Sequence, residues 1–136
     1  MKMLFAAGVL IALAGCATAP APGNLRESDL RQSAFLRGEQ KFNSTFAQVQ
    51  RNLFKNQELC DIDFVWRLDE NQISYGTILY KAEADADLSQ SVLIDITSYS
   101  NGNIVAKAYT YYADARANAR NALNVLTDPT ICPPNS

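Results

Sequence analysis

The sequence predicts an α+β domain in which an antiparallel sheet of four to five strands carries two helices on one of its faces. Three features of the chain lead to this prediction. Apolar residues recur at helical spacing in its first half, apolar and polar residues alternate in the segments that follow, and an alanine-rich helical stripe lies near the carboxyl end.

A short strand and a helix open the predicted domain. Residues 33–40 include the apolar Phe35 and fit a short leading strand. A helix is predicted over residues 44–57, and Ser44 or Asn43 is placed to cap its amino end. Its apolar side chains recur at helical spacing, at Phe46, Val49, Leu53 and Phe54.

Four strands follow as two predicted hairpins. Residues 61–69 alternate between apolar and polar side chains, and residues 73–81 are rich in aromatic and β-branched types. Residues 90–99 and 104–112 flank a second turn. The first of these strands places its large apolar side chains on one face, at Ile62, Phe64, Trp66 and Leu68.

The register of the second hairpin follows from its turn. A type I turn with Gly102 in the left-handed bulge position sets Tyr99 across from Asn103. Counting outward, Asp95 then lies opposite Lys107 on the polar face. A two-residue Asn-Gly turn would instead bring Lys107 onto the apolar face, which burial disfavours.

A second helix closes the domain. It is predicted to begin at Asp114 and to stop at Asp128-Pro129. Its apolar stripe is formed by Ala115, Ala119, Ala122, Leu123 and Leu126. This order of elements resembles the helix-grip arrangement, in which a curved antiparallel sheet wraps a long final helix. Small lipoprotein domains of outer-membrane assembly machinery are similar.

The amino-terminal residues carry a targeting signal. A short apolar run after Lys2 ends in Leu13-Ala14-Gly15-Cys16, and it is too short for the ~20 residues that a membrane-spanning helix needs. The motif resembles the lipobox of bacterial lipoproteins. That resemblance implies a signal peptide cut before Cys16, a diacylglycerol thioether on its sulfur and an acylated new amino terminus. By the same resemblance, Ala17 in place of Asp favours the periplasmic face of the outer membrane.

The chain is therefore predicted to have three parts. Residues 1–15 are the signal peptide, and residues 16–32 are the lipidated cysteine and a flexible tether. Small residues and proline dominate residues 17–24, as is typical of a spacer. Residues 33–136 form the single α+β domain.

Two further cysteines, Cys60 and Cys132, are predicted to form a disulfide. They are an even pair in a chain expected to enter an oxidising compartment. A metal pair and a reactive thiol are the alternatives. The chain has no histidine, and two isolated sulfurs lack the four-ligand pattern of a zinc site.

Composition and motifs do not point to catalysis. The mature chain has 11 basic and 14 acidic side chains, a net charge of −3, so nucleic acid is not an expected partner. Histidine is absent, as are a glycine-rich phosphate loop and a Gly-x-Ser-x-Gly elbow. Residues 83–87 resemble half of a calcium loop, and Asp61 and Asp63 could pair, but a solvated turn and a wet strand face are the preferred interpretations. We expect no enzyme, cofactor or metal.

Two functions remain. The preferred one is a lipid-anchored, non-catalytic module that binds an envelope protein or takes part in envelope assembly. Its predicted interaction surface is formed by Tyr99, Tyr109 and Tyr111, which the register places on the sheet face away from the helices. The alternative interpretation of these tyrosines is that they are isolated surface residues without a role, or that the Ser33 segment covers them. The alternative is a carrier that holds a small apolar ligand between the final helix and the sheet.

Overall fold

A computed structural model describes residues 18–134 of the chain. It confirms the α+β prediction, with five antiparallel strands and two long helices on one face. The predicted signal peptide and Cys16 lie outside the described residues. The elements are α1 (Glu27–Leu30), β1 (Leu36–Asn43), α2 (Phe46–Cys60), β2 (Asp63–Leu68), β3 (Tyr75–Lys81), β4 (Val92–Ser98), β5 (Asn103–Tyr109) and α3 (Arg116–Val125).

The strands lie in the order β1-β5-β4-β3-β2, so both predicted hairpins form and the leading strand becomes one edge of the sheet. The predicted register is confirmed, because Asp95 pairs directly with Lys107. The backbone N–H of Tyr99 donates to the carbonyl of Asn103 at 2.8 Å. Gly102 takes the bulge position with φ of +80°, a conformation that favours glycine because it has no Cβ.

The main core lies between the sheet and the two long helices. Ala119 and Ala122 of α3 and Ala106 and Ala108 of β5 are all without solvent exposure. Small side chains on both elements let the helix sit close to the sheet. A methyl group added at Gly38 of β1 would come within 3.1 Å of the Leu123 side chain, so this part of the interface is closely packed.

Both helices begin later than the sequence predicted. Thr45, and neither Ser44 nor Asn43, caps α2, because its hydroxyl oxygen accepts a bond from the Gln48 N–H at 3.1 Å. The predicted start of the last helix at Asp114 is also wrong. A 3-10 turn occupies residues 113–115, and α3 begins at Arg116 without a side-chain cap. These shifts leave the apolar faces of both helices on the sheet.

The outer face of the sheet, away from α2 and α3, is partly covered by residues 25–35. This corrects the prediction that a flexible tether extends to residue 32. Leu30 is fully buried, and Phe35 is 7% exposed. Both pack against Leu93 and Tyr109 in a second apolar cluster. Apolar side chains on the outer face need a cover, and the leucines of this otherwise polar segment supply it.

The predicted disulfide between Cys60 and Cys132 is confirmed. Their Cα atoms lie 5.2 Å apart, and the bond joins the end of α2 to the carboxyl-terminal tail. The fully buried Asn56 holds the same tail. Its amide nitrogen donates to the carbonyl oxygens of Pro129 and Ile131 at 2.9 and 2.7 Å. Its amide oxygen accepts a bond from the buried Tyr80 hydroxyl at 2.9 Å.

Loss of the disulfide should destabilise the fold. The bond closes a loop across a sequence separation of 72, and constraint of the unfolded chain by such a loop stabilises the native state by about 4 kcal/mol. We expect Cys60→Ser combined with Cys132→Ser to lower the free energy of urea unfolding by up to that amount. Unfolding of the wild-type chain under reducing conditions should match the double variant. An unchanged midpoint in both would contradict this expectation.

Candidate functional site

A polar row crosses the outer face of all five strands. Paired residues in the register bring together Arg67 of β2, Thr77 of β3, Asp95 of β4, Lys107 of β5 and Glu39 of β1. The neighbouring row, which includes Leu79, Leu93 and Tyr109, is the apolar one under residues 25–35. The outer face is thus divided into a covered apolar half and a polar half.

Arg31 lies at the boundary between the two halves. Its guanidinium binds the Asp95 carboxylate through two bonds, from Nε at 2.9 Å and from Nη2 at 3.0 Å. Nη2 also donates to the Thr77 hydroxyl at 3.2 Å. A bidentate arginine–carboxylate pair is among the stronger polar contacts in proteins. The hydrogen-bonded Asp95 carboxylate raises the pKa of Arg31, which therefore stays fully charged.

The other charges along the row are paired as well. Glu27 of α1 binds Arg67 and lies 3.7 Å from Arg31, so it bridges the two guanidinium groups. Lys107 lies 3.8 Å from Glu39. Asp95 and Lys107 face each other as predicted, but the carboxylate binds Arg31 and the ammonium group binds Glu39. The site therefore carries charges of alternating sign, and the Arg31–Asp95 pair is the most firmly held of them.

Two open grooves flank this row and share Tyr75 as a common wall. One groove, of about 440 Å³, lies beside Arg31 and Arg67. The other, of about 360 Å³, lies beside Lys107 and Tyr99. Burial raises the pKa of Tyr75, and the neighbouring Asp95 carboxylate raises it further. Its hydroxyl is therefore a neutral hydrogen-bonding group at physiological pH. We refer to the two grooves together as the outer groove.

The structure separates the three tyrosines that the sequence placed on one open surface. Tyr99 is 52% exposed and borders the outer groove. Tyr109 also borders it, but only 8% of this residue is exposed, because residues 25–35 cover it. Tyr111 lies beyond the end of β5 and stacks on Phe35 with ring centroids 5.6 Å apart. The prediction of an open tyrosine surface is therefore wrong for Tyr109 and Tyr111.

The acidic residues that the sequence analysis considered as possible metal or catalytic sites lie at the ends of helical turns and at the start of β2. Among residues 18–134, no group of three or more cysteine, aspartate or glutamate side chains is positioned to hold a metal ion. Asp87, in the segment that resembles half of a calcium loop, caps a 3-10 turn by accepting bonds from the N–H groups of Ser89 and Gln90. Asp61 lies before β2 in a left-handed conformation, and Asp63 accepts a bond from Gln57.

Comparison with known proteins adds no assignment. A scan against protein-family models and searches of curated proteins and of solved structures found no match. Within the part of the chain that the structure describes, no helix has the length and hydrophobicity needed to cross a membrane.

The sequence analysis did not identify Arg31, Glu27, Arg67 or Tyr75 as site residues. One signal was available: Leu25 and Leu30 are large apolar residues in a polar stretch, which indicates a segment that packs against something. The pairing of Arg31 with Asp95 joins residues 64 positions apart. No local pattern encodes a contact over that separation.

Removal of Arg31 should loosen the amino-terminal segment. Hydrogen bonds to charged groups are worth roughly 1.5–3 kcal/mol, so we expect Arg31→Ala to lower the free energy of unfolding by about 2 kcal/mol. Hydrogen exchange at the amides of residues 26–35 should become faster. Arg67→Ala is the matched control. Its side chain is 50% exposed, so the loss should stay below about 1 kcal/mol. Equal effects of the two variants would contradict the role of Arg31.

Tyr109 should behave as a core residue in unfolding experiments. Large-to-small substitutions of buried aromatic residues cost roughly 3–5 kcal/mol, and we expect Tyr109→Ser to lower the free energy of unfolding by about 3 kcal/mol. Tyr99→Ser should change it by less than ~0.5 kcal/mol because that side chain is exposed. Urea titration followed by circular dichroism measures both. If Tyr109→Ser leaves the free energy of unfolding unchanged, Tyr109 is not a core residue and the prediction of an open tyrosine surface would stand.

Proposed function

We propose that this chain is a bacterial envelope lipoprotein, anchored by acyl chains on Cys16 at the periplasmic face of the outer membrane, and that it binds an envelope protein without catalysing a reaction. Two observations support the location. Leu13-Ala14-Gly15-Cys16 resembles a lipobox, and the disulfide between Cys60 and Cys132 is of a kind that persists in oxidising compartments. At least two acyl chains would give stable anchoring.

The observation that carries the binding role is the row of paired charges beside the exposed ring of Tyr99. Arg31 and Asp95 hold each other through a bidentate ion pair, so these two side chains need little ordering when a ligand arrives. Lys107 and Glu39 form an exposed ion pair beside them. Tyrosine and arginine are enriched at protein interfaces. Charges of alternating sign suit a protein segment that carries both signs, and they disfavour a polyanion such as nucleic acid.

The alternative function, a carrier of an apolar ligand between α3 and the sheet, gains no support from the packing there. The close approach of Leu123 to Gly38 leaves little space at that point. The groove of about 290 Å³ that Leu123 borders is a surface feature whose other walls include Arg37, Glu39 and Arg120. Charged walls of this kind are unlike the apolar lining of a lipid-binding cavity.

A photo-crosslinking amino acid placed in cells at two exposed aromatic positions tests the binding role. Tyr99 borders the outer groove, and Phe54 lies on α2, on the other side of the sheet. Their exposures are similar, at 52% and 51%. We expect a discrete crosslinked species from position 99 and none from position 54. Lys107→Glu should abolish that species, because it reverses a charge beside the groove, whereas Lys55→Glu on α2 should not.

The same cells test the anchor. Cys16→Ser should move the protein out of the membrane fraction or leave its signal peptide uncut, and the lipid mass should be lost. A Cys16→Ser protein that stays in the membrane fraction with unchanged mass would refute lipidation. Crosslinks of equal strength from positions 99 and 54, or none from position 99, would refute the outer groove as the binding surface.

A further inference from the structure

We propose that the domain stands end-on on the bilayer, with Tyr112 in the lipid headgroup region and the tips of its hairpins pointing away from the membrane. The proposal rests on the lipid anchor at Cys16 that is proposed above. It names the bilayer as the occupant of one end of the domain. That end comprises the amino-terminal segment at Pro20 and the residues that follow β5.

The chain between the proposed lipid and the domain is short. The Tyr111 hydroxyl donates to the carbonyl oxygen of Pro20 at 3.0 Å. The turn at Pro22–Asn24 contacts the turn at Leu88–Gln90. Three residues lie between Cys16 and Pro20 in the sequence, and the four Cα–Cα steps of a fully extended chain between them span at most about 14 Å. Attachment of the segment to the sheet thus removes most of the reach that a tether to residue 32 would have had.

Three aromatic side chains pack together at this end of the domain. Phe35 and Tyr111 stack, and Tyr111 meets Tyr112 edge to face with ring centroids 5.0 Å apart. Tyr112 is 45% exposed, and the Tyr111 ring that it contacts is the one whose hydroxyl binds Pro20. A tyrosine ring with a wet hydroxyl is favoured at the boundary between headgroups and water. The short tether and this ring therefore act at the same place.

Tyr99, which borders the outer groove, lies at the opposite end of the domain. Tyr99 lies at the tip of the β4–β5 hairpin, and β5 has seven residues between that tip and the residues leading to Tyr112. At ~3.4 Å per residue, the two ends lie roughly 20 Å apart. An end-on orientation therefore holds the Tyr99 side of the groove away from the lipid surface, where a partner can reach it.

Electrostatic attraction does not explain the proposed contact between this end of the domain and the bilayer. The connection between β3 and β4 lies at the same end of the sheet and carries Glu83, Asp85 and Asp87. These carboxylates are repelled by anionic headgroups. The contact is therefore expected on neutral phosphatidylcholine, where only the anchor and the exposed ring contribute.

Fluorescence quenching by brominated lipid tests the orientation. The single Trp66 is first replaced by Phe, and Tyr112→Trp or Tyr99→Trp is then introduced into the full lipidated chain. Each protein is reconstituted into phosphatidylcholine vesicles whose acyl chains carry bromine close to the headgroup. We expect loss of emission and a blue shift for Tyr112→Trp, and neither change for Tyr99→Trp. If the Trp66→Phe background fails to fold, the same substitutions are read as differences from the protein that retains Trp66.

The outcomes distinguish this proposal from the proposed anchor. A chain whose intact mass lacks lipid at Cys16 refutes the anchor, and the orientation with it. If the lipidated Tyr112→Trp and Tyr99→Trp proteins are quenched equally, the domain lies flat on the bilayer. If neither lipidated protein is quenched, the domain stands clear of the bilayer. Either result overturns the end-on orientation while leaving the anchor intact.

Discussion

The pairing of Arg31 with Asp95 is the contact on which the outer half of the molecule depends. An antiparallel sheet with helices on one face exposes its other face, and here that face carries a fully buried Leu93 and a nearly buried Tyr109. Residues 25–35 exclude water from them, but a single helical turn has too few internal hydrogen bonds to be stable alone. A bidentate ion pair at the end of that turn fixes its place on the sheet.

The same contact also determines how the charges of the outer groove are paired. Asp95 would otherwise be a partly buried carboxylate on a strand whose neighbouring residues are apolar, and such a charge needs a partner. Arg31 supplies one, and Glu27 links it in turn to Arg67. The segment that completes the second apolar cluster thus also builds one wall of the outer groove. Residues 25–35 therefore contribute both to the second apolar cluster and to the site.

The proposed binding role requires neither histidine nor a catalytic motif. Specificity at a protein interface comes from charges in fixed positions and from aromatic anchors, and neither requires a reactive group. Docking of the amino-terminal segment also shortens the link to Cys16. A lipoprotein built in this way would hold its binding surface at a defined height and direction, where a long flexible tether would leave both variable.

Local chemistry in the sequence determined much of the fold. The alternation of apolar and polar residues predicted the strands, and apolar residues at helical spacing predicted α2 and α3. The turn at Gly102 predicted the register that places Asp95 opposite Lys107. Cys60 and Cys132, the two cysteines outside the lipobox-like motif, indicated the disulfide. These predictions were correct because the periodicity of apolar residues and the geometry of a turn depend on only a few neighbouring residues.

Only the tertiary structure decided what covers the outer face. Arg31 and Asp95 are 64 positions apart, and the segment before β1 has neither helical nor strand periodicity, so its polar composition indicated a tether. Burial of Tyr109 followed from that cover, not from its own strand, whose alternation correctly placed it away from the helices. A side chain's face is a local property, whereas its exposure depends on which distant part of the chain packs over it.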